Sequence, residues 1–139
     1  MDIESLREQL LRHEGCVLHA YQDHLGYLTI GVGRLIDKRR GGGITKDEAM
    51  FLLDADITRV LSGLCYERGF TNFPESVQEA LVNMAFQLGH SGLMDFKKMW
   101  AALRHQDYEK AADEALDSKW ASQTPRRAYE VAEMIRAAS

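Results

Sequence analysis

The chain has 139 residues, 45% of them hydrophobic, and a formal net charge of −4 with both signs mixed along it. That length suits one domain, and the acidic balance lacks the basic stripe expected of a nucleic-acid-binding surface. No apolar run approaches the ~18 residues of a membrane helix, the two cysteines are too few for a disulfide framework, and no spacing of His or Cys reads as a zinc site.

The opening residues, MDIESLREQLLRHEG, read as an amphipathic helix rather than a signal peptide. Ile3, Leu6, Leu10 and Glu14 follow an i, i+3, i+7, i+11 pattern and share one stripe. Glu14 is thus an acid where an apolar residue belongs. Gly15 follows and suits the left-handed position that ends a helix. Partial burial and the negative end of the helix dipole both disfavour a charged carboxyl there, which predicts a raised pKa. That is the property of a general acid near neutral pH. The plainer alternative is a surface Glu at a frayed helix end.

Residues 19–21 and 27–32 are rich in β-branched and aromatic side chains, and QDHLG between them carries turn chemistry: Asp23 to start, Gly26 for positive φ. A turn centred near Leu25 puts Asp23 about opposite Thr29, with Cβ atoms about 5 Å apart. A carboxylate and a hydroxyl that close can share and aim one water. On the second strand Leu28, Ile30 and Val32 face one way, and Tyr27, Thr29, Gly31 and Gly33 the other. The two glycines leave a bare backbone wall beside Thr29, as where a ligand or another backbone approaches closely. Taken singly, Asp23 and Thr29 are also what turn and strand propensity alone would place here.

IDKRRGGG (36–43) reads as a loop. Thr45-Lys-Asp-Glu48 is a capping box, and Ala49, Leu52, Leu53, Asp56, Val60 and Leu64 continue at helical spacing, which predicts a long helix over about 46–65 with Asp56 on its apolar side. Pro74 opens the next helix and Gly89 closes it. Val77, Ala80, Leu81, Met84, Ala85 and Leu88 make it a central core helix, in which Asn83 needs a hydrogen bond if buried. Helices follow near 95–105 and 107–117, their Met and Trp side chains read as packing. Thr124 and Pro125 start the last helix. Arg126 and Arg127 in its first turn oppose the dipole, so at least one is expected to be held by an acid. Cys16 and Cys65 sit in apolar contexts and read as reduced core thiols.

The run HEGCVLHAYQDHLGYLTIGVG (13–33) resembles the phage T4-type lysozymes, glycoside hydrolase family 24. Glu14, Asp23 and Thr29 fit the family spacing E-x8-D-x5-T, and GITKDEA (43–49), ALVNMAFQLG (80–89) and SKWASQTPRRA (118–128) match further family segments in order. The resemblance implies an α+β, mainly helical, lysozyme-like fold. It implies a small N-terminal lobe with a β-hairpin or sheet (about 14–45), a connecting helix (about 46–65) and a helical C-terminal lobe (about 66–139) on which helix 1–14 packs. It makes Glu14 the general acid, with Asp23 and Thr29 holding the attacking water of an inverting hydrolysis. Phe86 and Gln87 become cleft residues that contact substrate. Gln123 and Arg127 become polar partners near the catalytic Glu, with Glu14 the acid that holds Arg127. Arg34 stands where the family has His. Asp56 matches the acid that pairs with that His, so an Arg34–Asp56 pair is expected.

The expected activity is hydrolysis of the β-1,4 bond between N-acetylmuramic acid and N-acetylglucosamine in bacterial peptidoglycan, for host cell lysis. No cofactor or metal is implied, since two carboxyls and a water suffice. A monomer is expected, located in the host cytoplasm before release and acting in the periplasm or cell wall, with holin-dependent export if it is a free endolysin. Two alternatives stand beside this. A lytic transglycosylase would need no water-positioning Asp23, and a non-catalytic peptidoglycan-binding module would not need Glu14.

Overall fold

The computed structural model describes residues 2–40 and 43–139, with backbone only for 37–40. Among the described residues it is α+β and mainly helical, with seven α-helices and a three-stranded antiparallel sheet of order β1-β2-β3. The chain divides into two compact units, Met1–Leu52 and Leu53–Ser139.

The amino-terminal unit begins with α1 (Ile3–Glu14), capped by Asp2, whose Oδ1 accepts the Ser5 N–H at 3.2 Å. Gly15 ends it at φ 74°, ψ 178°, and its N–H donates to the Leu11 carbonyl. The positive φ was expected. The ψ is extended rather than left-handed helical, a region essentially reserved for glycine. Helix α1 buries none of its residues: Ile3, Leu6 and Leu10 are 54%, 38% and 44% exposed, and Glu14 is exposed too. The burial expected of Glu14 is therefore not what constrains it.

Strands β1 (Val17–Gln22) and β2 (Tyr27–Gly31) form the hairpin, and a third strand, β3 (Arg34–Arg40), returns along β2. The reading of 36–43 as loop is corrected over 36–40, and residues 41–42 lie outside the described set. The basic sequence there hid a strand, because Lys is depleted in strands generally yet tolerated on an edge strand. Among the described residues Thr29, on the middle strand, is the buried polar side chain, 3% exposed.

Helix α2 (Lys46–Leu64) starts with the capping box and runs on past the unit boundary. The Glu48 N–H donates to Thr45 Oγ at 3.1 Å, and the Thr45 N–H donates to Glu48 Oε1 at 3.2 Å. The reciprocal pair satisfies two of the N–H groups that a helix start leaves orphaned.

The core lies in the carboxy-terminal unit. Leu64, Phe70, Leu81, Met84, Leu93, Met99, Trp100, Leu103 and Ile135 are fully buried, at about 1.5–3 kcal/mol for each large apolar side chain. They come from α2, the 3-10 turn Phe70–Asn72, α3 (Glu75–Met94), α4 (Lys97–Arg104) and α7 (Pro125–Arg136), while α5 (Tyr108–Leu116) packs its alanines against them and α6 (Lys119–Gln123) adds Trp120. Gly89 ends the first helical run of α3 at φ 77°, ψ 165°, as expected, and a second run follows to Met94. The short helix α6 was not foreseen. Ser118 caps it, accepting the Ala121 N–H. Thr124 flanks both α6 and α7, and its hydroxyl donates back to the Trp120 carbonyl instead of capping α7. Cys16 and Cys65 are free and exposed, not core thiols. Apolar neighbours in sequence placed them wrongly, since both sit just past the ends of helices where the chain turns outward.

Candidate active site

Glu14 and Gly33 meet although they belong to different elements. Gly33 follows β2 in the tight turn to β3 and holds φ +66°. A Cβ built on it would stand 2.5 Å from Glu14 Oε2 and 2.8 Å from Glu14 Cδ. The carboxyl at the end of α1 thus rests on bare backbone that only glycine provides. The glycine wall expected beside Thr29 is resolved differently. Gly31 and Gly33 both have positive φ and shape the turn, and it is Glu14 that Gly33 receives.

Asp23 and Thr29 are not cross-strand partners. The register pairs Tyr21 with Thr29 and Gln22 with Leu28, so Thr29 sits two places away from the predicted match. Asp23 faces Tyr27 instead, its N–H donating to the Tyr27 carbonyl at 2.8 Å. The turn is centred on Leu25 as expected, but that centre pairs Asp23 with Tyr27 rather than with Thr29: Asp23 begins the turn and Gly26 closes it at φ 86°. Both side chains are nonetheless tied to one peptide neighbourhood. Asp23 Oδ1 accepts the N–H groups of Tyr27 and Leu25, each at 2.9 Å, and Thr29 Oγ1 donates to the Tyr27 carbonyl at 3.2 Å.

The Tyr27 N–H pulls the Asp23 carboxyl below the ordinary aspartate range; partial burial pushes the other way, and the Leu25 N–H adds to the lowering. Donors aimed at a carboxylate favour its charged form. Asp23 is accordingly an ionised group in the hairpin turn, with Oδ1 committed to the backbone.

The Arg34 guanidinium is bonded to Glu48 Oε2 within the amino-terminal unit, and within the carboxy-terminal unit Asp56 is bonded to Arg59 one helical turn away. Capping geometry decides this: Thr45 already holds Glu48 Oε1 and aims the other oxygen outward. The Arg34 guanidinium, followed by the Thr45 N–H and hydroxyl, holds the Glu48 carboxyl below its usual range.

The remaining predicted residues lie in the carboxy-terminal unit. Phe86 is 44% exposed and lines a groove of about 480 Å³ with Leu53, Ile57, Val82, Asn83 and Arg127. Gln87 Oε1 accepts the Trp120 Nε1–H at 2.9 Å. Arg127 donates from Nε to Asn83 Oδ1 at 2.9 Å and from NH2 to the Asn83 carbonyl at 3.0 Å. The partner described for this cation is thus an amide rather than an acid, and Asn83, though exposed, is bonded as a polar residue on a core helix should be. Gln123 is exposed beside Trp120 in a separate shallow cavity. Among the described residues no cluster of three His, Cys, Asp or Glu side chains is arranged to hold a metal ion.

Reading the sequence missed Trp120 and Asn83 as the groups that orient Gln87 and Arg127. The available signal was chemical: a buried indole N–H needs an acceptor, and glutamine on a neighbouring helix can supply one.

The phage lysozyme family model matches residues 11–132. The chain is similar to the pre-baseplate central spike protein Gp5 of Enterobacteria phage T4, 33% identical over 157 residues that cover 94% of this chain and 27% of that protein. It is similar to a probable T4-type lysozyme 2 of Dictyostelium discoideum, 28% identical over 93% of this chain and 92% of that one. It is also similar to the peptidoglycan hydrolase gp36 of Pseudomonas phage phiKMV, 29% identical over 91% of this chain and 14% of that protein. The chain thus spans about a quarter of the T4 spike protein and a smaller part of gp36.

Proposed function

Because this chain belongs to the phage lysozyme family, we propose that it is a peptidoglycan muramidase in which Glu14 is the general acid and Asp23, with Thr29, holds the attacking water. The observation that carries the reading is the placement of two unlike carboxyl groups at the two ends of one strand. Asp23 is kept ionised in the turn before β2, and Glu14 is seated on the turn after it.

In this reading the Glu14 carboxylic acid gives its proton to the glycosidic oxygen as the bond to C1 of N-acetylmuramic acid breaks. Charge develops at C1 as in an oxocarbenium ion. A water bound to Asp23 Oδ2 and the lone pairs of Thr29 Oγ1 adds to C1 from the opposite face and passes a proton to Asp23, so the anomeric configuration inverts. The Tyr27 backbone supports the second step by fixing both side chains, so that neither must be ordered during reaction. Gln87, Phe86, Gln123 and Arg127 are the proposed substrate-binding residues. Host cell lysis is the proposed role, by a monomer that needs a holin to reach the wall if it works as a free endolysin.

The test is mass spectrometry of fragments released from purified peptidoglycan, with Glu14→Gln alongside. Fragments ending in reducing N-acetylmuramic acid, absent with Glu14→Gln, are the expected result. Anhydro-ended fragments would replace hydrolysis by transglycosylation. Sacculus binding without release would leave only a binding module.

A further inference from the structure

We propose that Arg34, through its ion pair with Glu48, is a positioning residue for the Glu14 carboxyl: it holds the 31–33 turn on which that carboxyl rests. The inference deepens the muramidase reading and rests on it.

Three observations join. First, the turn is bracketed by the backbone pair Ile30–Arg34, so Arg34 is the first residue after it that is fixed in the sheet. Second, the Arg34 side chain leaves the sheet to bond Glu48, whose other oxygen is already held by the N–H and hydroxyl of Thr45 at 3.2 and 3.0 Å. The anchor is thus ordered by the helix start itself, and Arg34 has no search for its partner to make. Third, Gly33, the residue immediately before Arg34, is the one that touches Glu14. A path of direct contacts therefore runs from the capping box of α2 through Arg34 and Gly33 to the Glu14 oxygens.

The purpose of such a brace is rate, not stability. The Arg34 side chain is 67% exposed, and exposed ion pairs add little to folding. Reaction geometry is far less forgiving, since small displacements of an acid from its proton acceptor cost large factors in rate. A guanidinium also keeps its charge at every working pH, and the Glu48 carboxyl is held low by the same pair, so the brace stays closed over the range in which the acid must work.

The experiment is a double-mutant cycle of Arg34→Gln and Glu48→Gln, with kcat, KM and Tm measured on soluble glycan fragments. Glutamine at 48 still completes a capping box, so Glu48→Gln removes the charge while leaving the helix start intact. Each single variant is expected to lower kcat about tenfold with KM and Tm nearly unchanged, the double variant to be no slower than either, and Arg34→Lys to keep most of the rate. A fall in Tm with kcat intact would show a merely structural pair and overturn the proposal, as would single effects that multiply in the double variant. Glu14→Gln is run in parallel. If it retains turnover, the muramidase assignment itself falls. If it is inactive while Arg34→Gln turns over like wild type, only the brace falls.

Discussion

The Glu14 carboxyl and the Gly33 backbone are in contact across two elements, and the space between them has no room for a methyl group: a Cβ at Gly33 would lie 2.5 Å from Glu14 Oε2. The group that must yield is the far end of a flexible side chain. A substitution at Gly33 therefore moves the Glu14 carboxyl in addition to straining the backbone at its positive φ. This contact limits where the carboxyl can go while leaving it exposed.

Gly33→Ala should separate activity from stability when compared with Gly31→Ala. Both glycines hold positive φ, +66° and +69°, but nothing lies within 4 Å of a Cβ at Gly31. Each alanine should cost about 1–2 kcal/mol from backbone strain alone, read as similar shifts in urea unfolding. Only Gly33→Ala displaces Glu14, so its kcat should fall on the order of 100-fold, while Gly31→Ala keeps most of its activity. Equal activity in the two variants would show that Gly33 matters only for its φ.

Asp23 sets an acid limit. Its carboxyl is held below the ordinary aspartate range in the folded chain, chiefly by the Tyr27 N–H, and returns to that range on unfolding. A depressed folded value contributes stability above the unfolded pKa, and that contribution is lost as pH falls through the folded one. The acidic limb of kcat/KM should therefore lie below the usual aspartate pKa, since the base stays ionised to lower pH. Carbon-13 titration of the Asp23 carboxyl should show the same displacement. A normal midpoint would mean that the turn does not hold the carboxylate in solution.

Gln87 should prove to be held by Trp120. Trp120 is buried, 5% exposed, and its Nε1–H donates to Gln87 Oε1. Gln87→Met keeps the bulk but leaves that N–H without a partner, at about 1–3 kcal/mol. Gln87→Glu keeps an acceptor and should cost less. Thermal unfolding followed by tryptophan fluorescence distinguishes them, and identical stability of the two variants would remove the bond from the account.

The residues that act within a few positions of each other were legible without coordinates. Asp23 and Gly26 announced a turn, Thr45 and Glu48 a capping box, and Pro125 a helix start, because each effect is made by backbone groups one to four residues away. The acid at Glu14 was visible for the same reason, as a break in a periodic stripe. Pairings between distant segments were not legible. Whether Thr29 faces Asp23 or Tyr21 depends on where the turn is centred, from which the pairing runs regularly through Gln22–Leu28 to Tyr21–Thr29. That Arg34 finds Glu48 depends on a carboxylate that another residue has already oriented. That a glycine chosen for its φ should also be the seat of Glu14 required two elements to be folded against each other. Local signals specify conformation through short contour lengths, whereas contacts between elements are decided by the packing of surfaces that no spacing in the chain encodes.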